Sequence, residues 1–195
     1  MGDTVVCEDG LARCGWGVSP PVNRDYHDQE WGRAVTDERS VFETLCLEGF
    51  QSGLSWITIL RKREAFRAAF ASFDPDQVAV FGEADVERIM ADPGVVRHRG
   101  KIMATIGNAR ATVELRRTGS SLPELMWRFR PVGGSPPAAS ADVPVSSAES
   151  QALSAELRRQ GFKFVGPTTV YAAMQALGLV DDHLVGCHFR GGSPL

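Results

Sequence analysis

The stretch Gln160-Gly161-Phe162-Lys163-Phe164-Val165-Gly166-Pro167-Thr168-Thr169 decides how the chain is read. Upstream of it, Ser146-x-x-Glu149 has the form of a capping box that opens a helix, and Gly161 follows the end of that helix. Downstream, residues 168–177 read as a second helix, although Thr168-Thr169-Val170-Tyr171 also suits a strand. The unit is helix, short glycine-containing hairpin, helix. Backbone N–H groups around Gly166 and the N-terminus of the second helix can hold a phosphate without reading any sequence. An ordinary Gly-Pro turn is the alternative.

Working outward, helices dominate. Thr36-Asp37 offers caps for a helix running to about Gly49, and residues 53–73 read as mainly helical with a break near 63. Asp74-Pro75 is an N-cap followed by proline at the first helical position. A short helix follows, then another to about Met90, stopped by Asp92-Pro93-Gly94. Ile102, Ile106, Ala109 and Val113 fall on one helical face. Residues 1–13 read as a frayed start, and 131–147, rich in Pro, Gly, Ala and Ser, as a flexible loop. The chain has no internal repeat and reads as mainly α.

With 195 residues, the length suits one domain or two small lobes around a core, and 43% hydrophobic residues suffice to fill one. No run approaches the roughly 20 apolar residues of a membrane span. The start, Met1-Gly2-Asp3-Thr4-Val5-Val6, does not resemble a signal peptide, so the expectation is a cytoplasmic protein without a membrane partner. A net charge of −3 excludes nucleic-acid binding by bulk positive charge but leaves room for a local patch. Arg97, Arg99, Lys101, Arg110, Arg116 and Arg117 form one basic run, and Arg61, Lys62, Arg63 and Arg67 another. Solvated helix faces explain either run equally well.

In a cytoplasmic chain the four cysteines are thiols or metal ligands rather than disulfides. Cys14 and His27 have twelve residues between them, and His183 and Cys187 stand at i, i+4, facing one way if that segment is helical. Two thiolates and two imidazoles complete a tetrahedral structural zinc, which would join the two ends of the chain. The spacing alone leaves two unrelated Cys/His pairs as the alternative, and His188 as another ligand. Cys46 reads as a small core residue, and Cys7 as part of the loose start.

Two more features carry chemistry. Val41, Leu45 and Glu48 share a helical face, so Glu48 is either a side chain reaching out at the helix end or a sheltered carboxylate aimed into a pocket. Trp16, Tyr26, Trp31 and Trp56 crowd the same region of sequence. Each reads as core packing; together, near Glu48, they suit a slot for a flat ring such as a nucleobase.

The segments Arg13-Cys14-Gly15-Trp16, Tyr26-His27-Asp28-x-Glu30-Trp31-Gly32 and Leu47-Glu48-Gly49-Phe50-Gln51-Ser52-Gly53-Leu54-Ser55-Trp56 belong to a larger pattern. It continues in Arg97-His98-Arg99-Gly100-Lys101-Ile102, Gly161-Phe162-Lys163-Phe164-Val165-Gly166 and Asp182-His183-Leu184-Val185-Gly186-Cys187. In these motifs, over about residues 13–188, the chain resembles 3-methyladenine DNA glycosylase I, of the helix-hairpin-helix superfamily. The resemblance implies a single unit over 1–195 with two helical lobes, one of them stapled by zinc and drawn from both termini. It implies one structural Zn2+ on Cys14, His27, His183 and Cys187, a base-pocket carboxylate at Glu48, and stacking by Trp56, Tyr26, Trp16 and Trp31. It assigns Gln51, Ser52, Gly53 and Leu54 to the turn that enters the DNA stack, and Lys163, Gly166 and Thr168 to the phosphate-binding hairpin. Asp181 falls near the position where most of the superfamily carries a catalytic Asp; capping and support of the zinc loop is the favoured reading for it here.

The implied reaction is hydrolysis of the N-glycosidic bond of 3-methyladenine in alkylated double-stranded DNA, by a monomer that releases the free base. No lysine is placed as a nucleophile, so strand cleavage is not expected. A non-catalytic zinc-containing DNA-binding module is the main rival, and release of free base separates the two. A zinc hydrolase of small substrates is a weaker rival, because four protein ligands leave the metal no open position.

Overall fold

The computed structural model describes residues 4–133 and 135–191. Among these, two short strands, β1 (Thr4–Val6) and β2 (Ala12–Cys14), precede nine helices. The helices are α1 (Pro21–Gln29), α2 (Glu38–Gln51), α3 (Trp56–Ala69), α4 (Pro75–Ala79), α5 (Glu83–Ala91), α6 (Arg99–Arg117), α7 (Leu122–Trp127), α8 (Ala148–Arg159) and α9 (Pro167–Ala176). Among the described residues no helix is long and apolar enough to cross a membrane.

The centre is α2. Asp37 caps it by accepting from Ser40 N at 2.9 Å, and its second half is buried almost all round. It packs against α3, α6, α7 and α9. Ile102, Ile106 and Ala109 of α6 are buried in the main core, as their periodicity requires. Asp74 caps α4 through the N–H groups of Asp76 and Gln77, with Pro75 at the first position.

Several boundaries differ from the sequence reading. Helix α3 is continuous through residue 63 and begins only at Trp56. It has no interior Gly or Pro, and Arg63 and Arg67 pair with Glu30, just after α1, and Glu43 of α2. The capping box of α8 lies one residue later than expected: Ser147 Oγ accepts from Ser150 N while Ser150 Oγ accepts from Ser147 N. Ser150 is fully buried, so packing chose this register.

The hairpin unit is built as the sequence indicates. Gly161, at φ +91°, ends α8, and Phe162 N reaches back to Leu157 O. Phe162 and Val165 plug into the core. Asn108 clamps Lys163 by both backbone groups, and Ser154 Oγ donates to Val165 O.

Residues 4–13 are ordered rather than frayed, and residues 1–3 of that expectation lie outside the described residues. β1 and β2 pair antiparallel, with Thr4 opposite Cys14 and Cys7 in the connecting loop. A two-stranded ribbon is marginal alone, and tertiary bonds hold this one. Arg13, 3% exposed, grips Asp9 and Asp28, and His188 N donates to Ala12 O. The described part of the 131–147 connection has a single 3-10 turn, Ser140–Asp142, but it is docked: Val185 N donates to Pro137 O, and Val143 packs on a small cluster of Cys14, Leu184 and Cys187.

Candidate functional site

Beside the C-terminal half of α2 lies a cavity of about 300 Å³. Trp16, Tyr26, Trp31 and Trp56 contribute rings to it, Glu48, Gln51, Gln175 and Asp182 polar groups, and Ser140, Val143, Ala172 and Leu184 the remainder. Among the described residues no Lys, Arg or His lines it. The rings are mutually inclined: Tyr26 and Trp56 have centroids 5.2 Å apart at 50°, and Trp16 and Trp31 stand edge-on at 4.9 Å. Trp16, 39% exposed, lies toward solvent.

Glu48 is 5% exposed. Among the described residues only four buried side-chain polar atoms lack a hydrogen-bond partner, and two of them, Glu48 Oε2 and Trp56 Nε1, belong to residues of this cavity. Burial alone pushes the Glu48 carboxyl up to about 8. The Tyr26 phenol is also pushed up, by burial and then by the charges of Glu48 and Glu30. The cavity therefore offers flat walls, a protonatable carboxyl and no counter-cation. A flat cation able to donate hydrogen bonds is its complement.

Next to the cavity, Cys14, His27, His183 and Cys187 are all buried, with ligand atoms within 4.8 Å of one another. Cys187 Sγ is 3.5 Å from His183 Nδ1 and 3.6 Å from His27 Nε2, and Cys14 Sγ is 3.8 Å from His183 Nδ1. A tetrahedral metal with ordinary zinc bond lengths needs sulfur–nitrogen edges of about 3.6 Å. The outer nitrogens are also held: His27 Nδ1 by Asp28 at 2.8 Å and His183 Nε2 by Trp31 O at 3.2 Å. The Cys187 thiol is pulled down by its contact with Cys14 and by both imidazoles, while Cys14 is pushed up by Cys187 and by burial. The two sulfurs thus share a proton, whose place a cation bound by both would take. The donor set can hold a metal ion, and it does so without a helix: residues 181–187 are a loop and turn, in which Leu184 N donates to Cys14 Sγ.

Residues 16–191 match the family model described as methyladenine glycosylase. The chain belongs to this family. It is 50% identical over 181 residues to DNA-3-methyladenine glycosylase 1 of Escherichia coli strain K12, covering 91% of this chain and 96% of the relative. A crystal structure of 3-methyladenine DNA glycosylase I superposes with a TM-score of 0.88 at 47% identity, covering 91% of this chain and 99% of that one. A variant of 3-methyladenine DNA glycosylase I solved in complex with 3-methyladenine superposes at 0.86 with 33% identity, covering 93% and 99%.

Within this family member, the sequence-derived residues outside the Cys/His cluster fall into three places. Glu48, Trp16, Tyr26, Trp31 and Trp56 meet in the cavity, joined by Gln51. Ser52, Gly53 and Leu54 form an exposed turn beyond α2, with Gly53 at φ +83° and Leu54 43% exposed. Lys101, 7% exposed, donates to the carbonyls of Phe50 and Ser52 and fixes the start of that turn. Lys163 and Thr168 are exposed and Gly166 half-buried. The hairpin abuts α2, where a Cβ on Gly49 would lie 3.5 Å from Phe164.

The basic runs are largely consumed by structure. Arg99 pairs with Glu83 and Glu87, Arg116 with Glu38 and Asp76, and Arg110 donates to the carbonyls of Ala79 and Phe81. Sequence reasoning missed Gln175, Asp182, Ser140 and Val143 as cavity residues. Asp181, which it singled out, accepts from His183 N and Gly191 N and so braces the loop of metal-ligand residues. The neighbouring Asp182 is the one at the cavity. The adjacency of two acids before His183 was the only signal for it.

Proposed function

We propose that this chain is a monofunctional DNA glycosylase that hydrolyses the N-glycosidic bond of 3-methyladenine in alkylated double-stranded DNA. The observation that carries this reading is Glu48, a buried carboxyl with an unpartnered oxygen in an aromatic cavity free of cationic side chains. Methylation at N3 makes the nucleobase a cation, and a weakly paired lesion flips out of the stack most easily. Tyr26 and Trp56 stack on the cationic ring, each contact contributing roughly 0.5–2 kcal/mol, while Trp16 and Trp31 close the slot. Glu48 ionises as the cation arrives, its proton passes to solvent, and its carboxylate accepts from the base edge.

The bond from C1′ to the base then breaks with its electron pair moving onto the ring nitrogen, which cancels the ring's charge. The base leaves neutral and requires no general acid. Water adds to C1′ and gives up a proton, leaving an abasic sugar.

The chain has three lysines. Lys62 donates to the carbonyls of Pro93 and Gly94, Lys101 to those of Phe50 and Ser52, and Lys163 sits on the hairpin. None lines the cavity, which supports hydrolysis without a Schiff base. Leu54, on the turn Gln51-Ser52-Gly53-Leu54, fills the gap left by the flipped base, and backbone N–H groups near Lys163, Gly166 and Thr168 hold a phosphate. One structural zinc on Cys14, His27, His183 and Cys187 ties the N-terminal hairpin and α1 to the segment after α9. The protein acts as a cytoplasmic monomer, a single unit of two helical lobes.

The test is chromatography of methylated DNA after incubation with the protein. Free 3-methyladenine without strand nicks is the expected product. Absence of free base overturns the reading, and a borohydride-trapped covalent adduct overturns its monofunctional part.

A further inference from the structure

N3-methylated adenine and N3-methylated guanine nucleotides are both flat cations, so stacking and charge do not separate them. They differ at position 6, where adenine presents an amino donor and guanine an oxo acceptor. Gln175 and Asp182 bear on this difference. Both line the cavity with Glu48. Asp182 is 9% exposed, and its Oδ2 accepts from Tyr171 Oη at 2.7 Å and from Gln175 Nε2 at 2.8 Å.

Because Asp182 Oδ2 accepts from both side chains, the Gln175 amide lies with NH2 toward Asp182 and the carbonyl Oε1 turned away from it. Tyr171, its phenol pushed up by burial and by Asp182, stays protonated and pins the same oxygen. Among the described residues Gln175 Oε1 has no hydrogen-bond partner. Gln175, which lines the cavity with Glu48, thus has an acceptor oxygen turned away from Asp182.

We propose that Asp182 is a positioning residue for specificity: by locking the Gln175 amide it presents an acceptor to position 6, which welcomes the 6-amino group of methylated adenine and rejects the 6-oxo group of methylated guanine. Two acceptors face to face leave both unpaired in a buried place, the kind of mismatch by which pockets discriminate most strongly. This inference rests on the glycosylase reading above.

The experiment uses DNA treated with a methylating agent that produces both lesions and measures kcat/KM for release of each base in one reaction. Asp182→Leu keeps the approximate size but removes the oxygen that holds both Tyr171 Oη and Gln175 Nε2, so the Gln175 amide is free to turn over. The expected result is a fall of about tenfold in the preference for 3-methyladenine. Gln175→Leu should reduce the same preference. A ratio taken within one preparation does not depend on the fraction folded. An unchanged ratio in both variants overturns the proposal, as does a parallel loss of both activities with a lowered melting midpoint, which would mark Asp182 as structural only. Wild-type protein that releases neither base overturns the glycosylase reading itself, and this proposal with it.

Discussion

Two buried polar clusters share Trp31 and treat their polar atoms in opposite ways. Around Cys14, His27, His183 and Cys187 every ligand-bearing ring or thiol has a partner, and the next layer of Asp28, Arg13 and Trp31 O is paired in turn. In the cavity, Glu48 Oε2 and Trp56 Nε1 are left without partners, and Glu48 sits at a pKa of about 8. A fully partnered cluster holds a fold together. A cluster with buried groups left open destabilises the free protein and is satisfied only by a ligand. On the proposed function the contrast separates a structural centre from a recognition site, and each half of it can be broken separately.

The largest effect belongs to the clasp. If the proposed zinc site is correct, Cys187→Ser should abolish metal binding and lower the melting midpoint by about 10 °C or more, because a metal that joins distant segments contributes directly to folding. Metal content and calorimetry check this, and an unchanged melting curve would remove the clasp. Second is Glu48→Gln, which should reduce excision on the order of 100-fold through loss of charge-assisted hydrogen bonds. The same variant should melt higher than wild type. A carboxyl at about 8 in the fold and near 4.5 unfolded binds its proton more tightly when folded. Its penalty therefore grows as pH rises through that window, to about 3 kcal/mol at pH 7. Losing activity while gaining stability is the signature of a group poised for ligand.

Third, kcat/KM for excision should rise about tenfold per pH unit below pH 8 and then level, since that parameter follows the free enzyme's titration. A flat profile in wild type would contradict the raised pKa, and Glu48→Gln should be flat. The smallest effect is expected at Lys101. Lys101→Met removes two donors from the end of α2 and should cost about 1–2 kcal/mol in urea unfolding, with a few-fold loss of excision as the turn carrying Leu54 loosens.

Much of this was legible in the sequence where the signal is local. Asp37 and Asp74 as caps, Gly161 as a stop, Pro167 at the start of α9 and the buried stripe of α6 follow from chemistry within a few residues. Features that depend on distant partners were not legible. The pairing of residues 4–14 waits on Asp28 and His188, the continuity of α3 on Glu30 and Glu43, and the meeting of His183 with Cys187 on a turn rather than a helix. The same holds in the cavity. Glu48 stood out because a carboxylate on an apolar helix face is costly. Gln175 and Asp182 look like ordinary surface residues until α9 and the loop after it are folded against α2.

The most direct measurement is the structure of the protein with 3-methyladenine bound. The expected result is the purine between Tyr26 and Trp56, with the Glu48 carboxylate within hydrogen-bond distance of its edge. A base bound elsewhere, or Glu48 left without a partner while the ligand occupies the cavity, would contradict the division between clasp and pocket.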